Sequence, residues 1–470
     1  MWSACVPATS VSGSPAVPPA SLERALGGTY YVAPGGGDDN PGTQARPWAT
    51  LQRAADTLQP GDTVYLREGV YHQYVTLGRS GTPGQLITYS AYPGETVWLD
   101  GQGVDWKYAF DLGHPGVSYI DIVGMNMRHW HDVTGDGACI VSWSESDHVT
   151  IRDAELHHCG HGGIQFFQDS DYVTVENVYI HDNWLVGMDC GVGPCAHWVL
   201  RHVRAVDNGS ESGDTAADGI AVEQGDDILV ENCEAVGNAG DGFDFKSSGT
   251  TLRRVVARDN ERNNVKLWGE CSSLVNGLAV NAGLTNLVLS GGGSYTVANS
   301  LVASRYSYGY LAVFGEDDDD AATPVRVYNT IFYNDHPAMG GTTVYFSSGT
   351  QLQADYNLYY NPYREEDVIC ASFLGGDDCF SSEDINDGTW FSQSGQGQHS
   401  TYADPSFRNA STGDFHLTVA SPAVDAGTAA WAPSDDLEGY LRDDHPDIGP
   451  YEWWEPIAWA YLPAALYGCD

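Results

Sequence analysis

Three aspartates and two lysines fall into register when a short glycine-led motif is aligned along the chain. The copies read Gly219-Ile220-Ala221-Val222, Gly242-Phe243-Asp244-Phe245 and Asn264-Val265-Lys266-Leu267. One column then holds Asp218, Asp241 and Asn263, a second Ala221, Asp244 and Lys266, and a third Glu223, Lys246 and Trp268. On strands, residues two apart share a face and neighbouring strands lie about 4.8 Å apart. Phe243, Phe245, Val265 and Leu267 take the inward positions, so Asp244, Lys246, Lys266 and Trp268 point outward together. Carboxylates held this closely repel one another, and a hard cation with oxygen ligands relieves that repulsion. Asp218, Asp241 and Asp244 are therefore candidate calcium ligands. The other reading is a solvated acidic ladder with salt bridges to Lys246 and Lys266. The chain has only one further lysine, Lys107.

Such columns exist only if the chain coils regularly. Asp147–His157 and Asp171–His181 are copies of one alternating unit, and further copies begin near Ala196, Asp227, Thr250 and Ser272. Most spacings are roughly 22–25 residues, the length of one turn of a parallel β-helix. Propeller blades need about 40 residues, and sandwiches have no single repeating register. Asn183, Asn208, Asn238 and Asn260 recur four residues ahead of the motif or at the equivalent place, marking a turn where asparagine tolerates left-handed backbone. After Asn208 the stretch Gly209 to Ala217 lengthens the loop, as the wall of a site would. The expected fold is all-β, a right-handed parallel β-helix with a short N-terminal capping helix. Pro47 to Leu58 carries the helical spacing, ended by Pro60-Gly61. Residues 1–28 read as a flexible linker, 29–455 as the β-helix domain and 456–470 as a tail.

Composition limits the partners. A net charge of −42 excludes nucleic acid and anionic membrane. It would also repel an acidic glycan unless a divalent cation bridges the like charges. No run of 18 apolar residues occurs, so no membrane span is expected. Cys190 and Cys195, Cys370 and Cys379, and Cys139 and Cys159 are spaced to pair, as in an oxidising compartment; buried free thiols are the other reading. A standard signal peptide is absent, and a trimmed secretion signal is the preferred account.

Asp218-Gly219, Asp241-Gly242-Phe243-Asp244 and Asn264-Val265-Lys266-Leu267 resemble the core of the polysaccharide lyase family 9 pectate lyases, over about residues 200–270. The resemblance implies calcium held by Asp218, Asp241 and Asp244, and Lys266 as the base that takes the C5 proton of a galacturonate. Gly240 stands where the family usually has a further aspartate. The implied partner is an acidic, uronate-containing polysaccharide such as pectate. Lys246, Trp268, Arg305 and Tyr308 are candidates to bind it, through charge pairing and ring stacking. Tyr30-Tyr31-Val32-Ala33-Pro34 and Asp404-Pro405-Ser406-Phe407 resemble the opening and ending of bacterial secreted β-helix proteins, which places the chain outside the cell or on its surface.

Two other functions compete. Gly160-His161-Gly162 with Asp226-Asp227 resembles parts of β-helix polygalacturonases, but in the reverse order. A non-catalytic adhesive or filament-forming β-helix, associating end to end, is the reading from a different class. His157, His158 and His161 read as surface residues, and the run Glu316 to Asp320 as a solvated loop or a second calcium site.

Overall fold

The computed structural model describes residues 27–132, 134–209, 217–304, 310–315, 323–335, 344–376 and 378–454. They form a right-handed parallel β-helix of about 11 turns. Each turn adds a strand to one long face of 13 strands, parallel throughout except where Asp378–Phe380 runs antiparallel to Ile369–Ala371. The remaining strands of each turn join a 23-stranded sheet that wraps the other walls.

The coil follows from alternation and from bends. Along Thr174–His181, Val175, Val178 and Ile180 point inward and are buried, while the intervening residues meet solvent. Successive rungs superpose these positions, as Ile151, Val175 and Leu200 do, and the apolar interior runs the length of the stack. Corners are made by single residues in the left-handed region. One corner stacks Asp153, Asn177, His202 and Asn232, and another stacks His158, Asp182 and Asp207 with Gly237. Short polar side chains dominate there because they tolerate positive φ.

The asparagine column is an amide ladder inside the turn. Asn183 Nδ2 donates to Asn208 Oδ1, Asn208 to Asn238 and Asn238 to Asn260, each at 2.9 Å, and all four are buried. Each Oδ1 also accepts the backbone N–H of the preceding asparagine, so the ladder satisfies corner groups that water cannot reach.

Both ends of the stack are covered. The expected helix is shorter than its spacing predicts, Leu51–Ala55, because Trp48 bonds the first strand and Thr50 caps the helix through Arg53 N. Leu51, Ala54 and Ala55 close the N-terminal end. At the other end, Ser382–Asn386 and Thr389–Ser394 bury Ile385 and Trp390. The last described segment returns along the sheet, packing Phe415, Leu417 and Ile448 on Leu301 and Ile331. Disulfides join Cys139 to Cys159, Cys190 to Cys195 and Cys370 to Cys379, while Cys233 is a buried free thiol. The linker before residue 27 and the tail after 454 lie outside the described residues, as do Gly209's following loop residues 210–216 and the acidic run 316–320.

Candidate active site

The strands Gly162–Phe167, Val186–Val192, Ile220–Val222, Phe243–Phe245 and Val265–Leu267 are consecutive rungs of the 13-stranded face. Their register places Gln165, Asp189, Ala221, Asp244 and Lys266 in one outward column. The inward neighbours Phe243, Phe245, Val265 and Leu267 are fully buried and fix the backbone from which Asp244 and Lys266 project.

Asp218 and Asp241 sit at the bend just before these strands, and each ties its rung to the next. Asp218 Oδ1 accepts Asp241 N at 2.7 Å, and Asp241 Oδ1 accepts Asn263 N and Nδ2 at 2.8 Å. The second oxygen of Asp241 stays on the site, 3.5 Å from Lys266 Nζ. Lys266 Nζ lies 3.1 Å from Asp244 Oδ2 and 4.4 Å from the centroid of the Trp268 ring. Lys246 Nζ is gripped by both oxygens of Glu223, at 2.5 and 2.6 Å, and lies 3.4 Å from Asp244 Oδ2.

Asp218, Glu223, Asp241, Asp244, Lys246 and Lys266 line a cleft of about 400 Å³. Its walls add Asp189, His161 and Arg262, which the motif alignment does not single out. Asp189 was legible as the Asp244 position two rungs earlier. His161, expected as a surface histidine, is partly exposed but faces the cleft, with Nε2 3.8 Å from Asp189 Oδ2. Arg262 lies in the turn ahead of Asn263 and carries no repeat signal. Arg305 and Tyr308 lie outside the described residues.

Charge in the cleft is imbalanced. Burial, reinforced by Asp241 and Asp244, pushes the Asp218 carboxyl up to about 8. Burial also raises Asp244, against the pull of Lys266 and Lys246. Lys246 is raised: burial opposes its charge, but the Glu223 hydrogen bond and the Asp244 and Glu223 charges outweigh it. Asp244 Oδ1 and Asp189 Oδ1 are buried without a hydrogen-bond partner among the described residues. An unpartnered carboxylate oxygen inside a cleft is an acceptor awaiting a donor or a cation.

The donor set fits a hard cation: all oxygen, on adjacent rungs, with Asp244 Oδ1 lacking a partner among the described residues. The carboxylates are not a closed cage, for their oxygens do not gather within 4.8 Å of one another, and Lys266 stands against two of them. Calcium tolerates such an open, partly protein-built shell. Gly240 has a local reason: a Cβ there would lie 2.5 Å from Asp218 Oδ1 and 2.7 Å from the Ala217 backbone. A side chain at 240 and the observed Asp218 carboxylate exclude each other. Among the described residues, the ligand atoms of Glu155, His157 and His181 do converge, but on the other sheet. There Glu155 and Asp182 bracket the His181 ring at 3.1 and 2.7 Å.

The fold and cleft define a right-handed parallel β-helix with an outward acidic and lysine-bearing site. The chain belongs to the family described as "Pel9A-like, right handed beta helix region", which matches residues 30–286, more than half its length. It is 22% identical over 342 residues to pectate lyase L of Dickeya dadantii (strain 3937), covering 70% of this chain and 72% of that protein. It is 40% identical over 82 residues to the uncharacterised protein YwoF of Bacillus subtilis (strain 168), a stretch covering 17% of this chain and 18% of that one. Among solved structures, XylC in complex with xylose superposes with a TM-score of 0.58 at 12% identity, covering 91% of this chain and 98% of that one. That likeness concerns the fold. Among the described residues, no helix is long and apolar enough to cross a membrane.

Proposed function

We propose that this protein cleaves an acidic, uronate-containing polysaccharide by calcium-dependent β-elimination, with Lys266 as the base. The observation that carries the reading is Lys266 Nζ, held at the cleft between Asp241 and Asp244, whose Oδ1 has no partner among the described residues. Asp218, Asp241 and Asp244 would hold the cation. Bound calcium supplies positive charge beside the substrate carboxylate, where negative charge develops.

The residues of the chain do the rest. Lys266, as the free amine, takes the C5 proton; the electron pair forms the C4–C5 double bond as the C4–O4 bond breaks, and the departing oxygen acquires a proton from water. Lys246 and Arg262 face the cleft with positive charge suited to orienting uronate carboxylates. Trp268 lies under the Lys266 ammonium and fixes its reach. Because the amine must be uncharged to act, the rate rises toward alkaline pH. The three described disulfides support an extracellular or cell-surface location. The covered stack ends argue against end-to-end filaments. The test is ultraviolet absorbance of the unsaturated product on polygalacturonate and alginate, with calcium and with a chelator. Silence on every uronan in the presence of calcium would sink the reading.

A further inference from the structure

On the other side of the cleft from Lys266, the outer surface of the same sheet carries a continuous run of aromatic rings. Tyr74 stacks on Trp106 at 5.1 Å, and Trp106 meets Tyr108 edge-on at 6.2 Å. Tyr108 meets Trp143 at 5.5 Å, and Trp143 lies on Phe167 at 5.3 Å with the planes 4° apart. The strands Val75–Thr76, Tyr108–Asp111, Ala138–Ser142 and Gly162–Phe167 pair in succession, so the rings climb four rungs. Phe167, at the last rung, lines the cleft.

The packed interior does not require these rings. Tyr108, Ala138 and Val141 form with Phe167 a cluster separate from the main core. Tyr74, Trp106 and Trp143 are 41%, 42% and 38% exposed. A contiguous exposed aromatic surface continuous with a cleft marks a binding surface. Its chemistry narrows the ligand. The exposed part of such rings offers apolar surface to the C–H side of a pyranose, and the rungs, about 4.8 Å apart, set it out in steps along the stack. Charge narrows it further. Lys107, over the Tyr108 ring, is already ion-paired with Asp136 and lies 4.0 Å from Asp132. One lysine against two carboxylates leaves net negative charge at that place, so a bare uronate would be repelled there.

We propose that this ledge is a set of glycan subsites for uncharged pyranoses, neutral or esterified, belonging to the same polymer whose acidic residue enters the cleft. The link to the cleft rests on the lyase reading; the ledge as a glycan-binding surface does not. Affinity electrophoresis of the full chain tests it, in gels holding either polygalacturonate or a highly methyl-esterified galacturonan. The variants are Trp106→Ala with Trp143→Ala, and Trp106→Tyr with Trp143→Tyr to keep the rings. Retardation in the esterified gel is expected to weaken about ten-fold in the alanine pair and to survive in the tyrosine pair. On the long esterified polymer KM should rise while kcat holds. Native chain that runs unretarded in the esterified gel, or an alanine pair retarded like the native chain, overturns the ledge. Tryptophan-dependent retardation with no product from any uronan upholds the ledge and sinks the lyase reading.

Discussion

Two charge clusters, on different sheets of the coil, use acids and bases to different ends. On the 23-stranded side, Glu231 Oε1 accepts from Arg253 and Arg254 at 2.9 Å, and Asp435 takes the other arms of the same two guanidinium groups. Nearby, Arg442 and Glu452 pair at 2.8 Å, each 2% exposed, and Arg442 also donates to Asn276 and to the Gly449 carbonyl. Each of these charges has an opposite in good geometry, and together they staple residues 435–452 to the stack. In the cleft, two carboxylates share Lys266, Lys246 is occupied by Glu223, and Asp244 keeps an oxygen without a partner among the described residues. Balanced charges hold the structure, whereas imbalance marks the place where an external charge completes the set.

The sharpest way to break this contrast is to cut one cation from each cluster. Lys266→Ala should lower kcat on polygalacturonate about 10³-fold, the range for loss of a general base, with the fold intact by circular dichroism. Arg442→Ala should leave the turnover of folded protein unchanged but lower the unfolding free energy by about 3–5 kcal/mol, because Glu452 stays buried without its partner. Denaturant titration and initial rates on the two variants separate the effects. If Lys266→Ala unfolded the chain and Arg442→Ala silenced it, the assignment of the clusters would be reversed.

A smaller effect comes from protons. Asp218 stays protonated in the folded chain up to about 8, while the unfolded chain releases that proton near 3.8. Between those values the folded state binds more protons, so this group makes stability fall as pH rises through the window and level off above it. Asp218→Asn removes the dependence and can still accept the Asp241 N–H. The metal-free variant should therefore lose less stability than the native chain from about pH 5 to about pH 9, by about 1–3 kcal/mol. Calcium should raise the native Tm most at the alkaline end, and the variant should lose most of that gain. Equal pH slopes for the two proteins in chelator would refute the cleft's electrostatics.

The sequence made the fold and half of this comparison readable. Period, alternation and the glycine-led motif gave the register, and Ala221, Asp244 and Lys266 do pair on successive rungs. The asparagine column was legible because a ladder repeats one residue type at one place. Arg262 and His161 were not, since both stand in bends, where side-chain direction depends on the local backbone rather than on period. The balanced cluster was unreadable for a different reason: Arg253 and Arg254 meet Asp435 across a separation of 182 and 181 residues, and the returning segment carries no repeat. The aromatic ledge escaped because its rings come from different positions in each rung, Tyr74, Trp106 and Trp143, so no column announces them.

The smallest expected effect sharpens the roles of the two cleft lysines. They stand on neighbouring rungs, and both lie near Asp244 Oδ2, at 3.4 Å for Lys246 and 3.1 Å for Lys266. What separates them is Glu223, which takes Lys246 with both oxygens and favours its charged form. A lysine kept charged cannot accept a proton, but it can attract a carboxylate. Lys246→Met should therefore raise KM for polygalacturonate about ten-fold and leave kcat within about two-fold, because it removes an attraction felt equally by substrate and transition state. The freed Glu223 carboxylate adds to the rise by repelling the substrate, so Glu223→Gln in the same chain should recover part of the loss. Were Lys246→Met to erase kcat while Lys266→Ala kept it, the base would be the lysine that Glu223 holds, and the partner that distinguishes the two would have been read with the wrong sign.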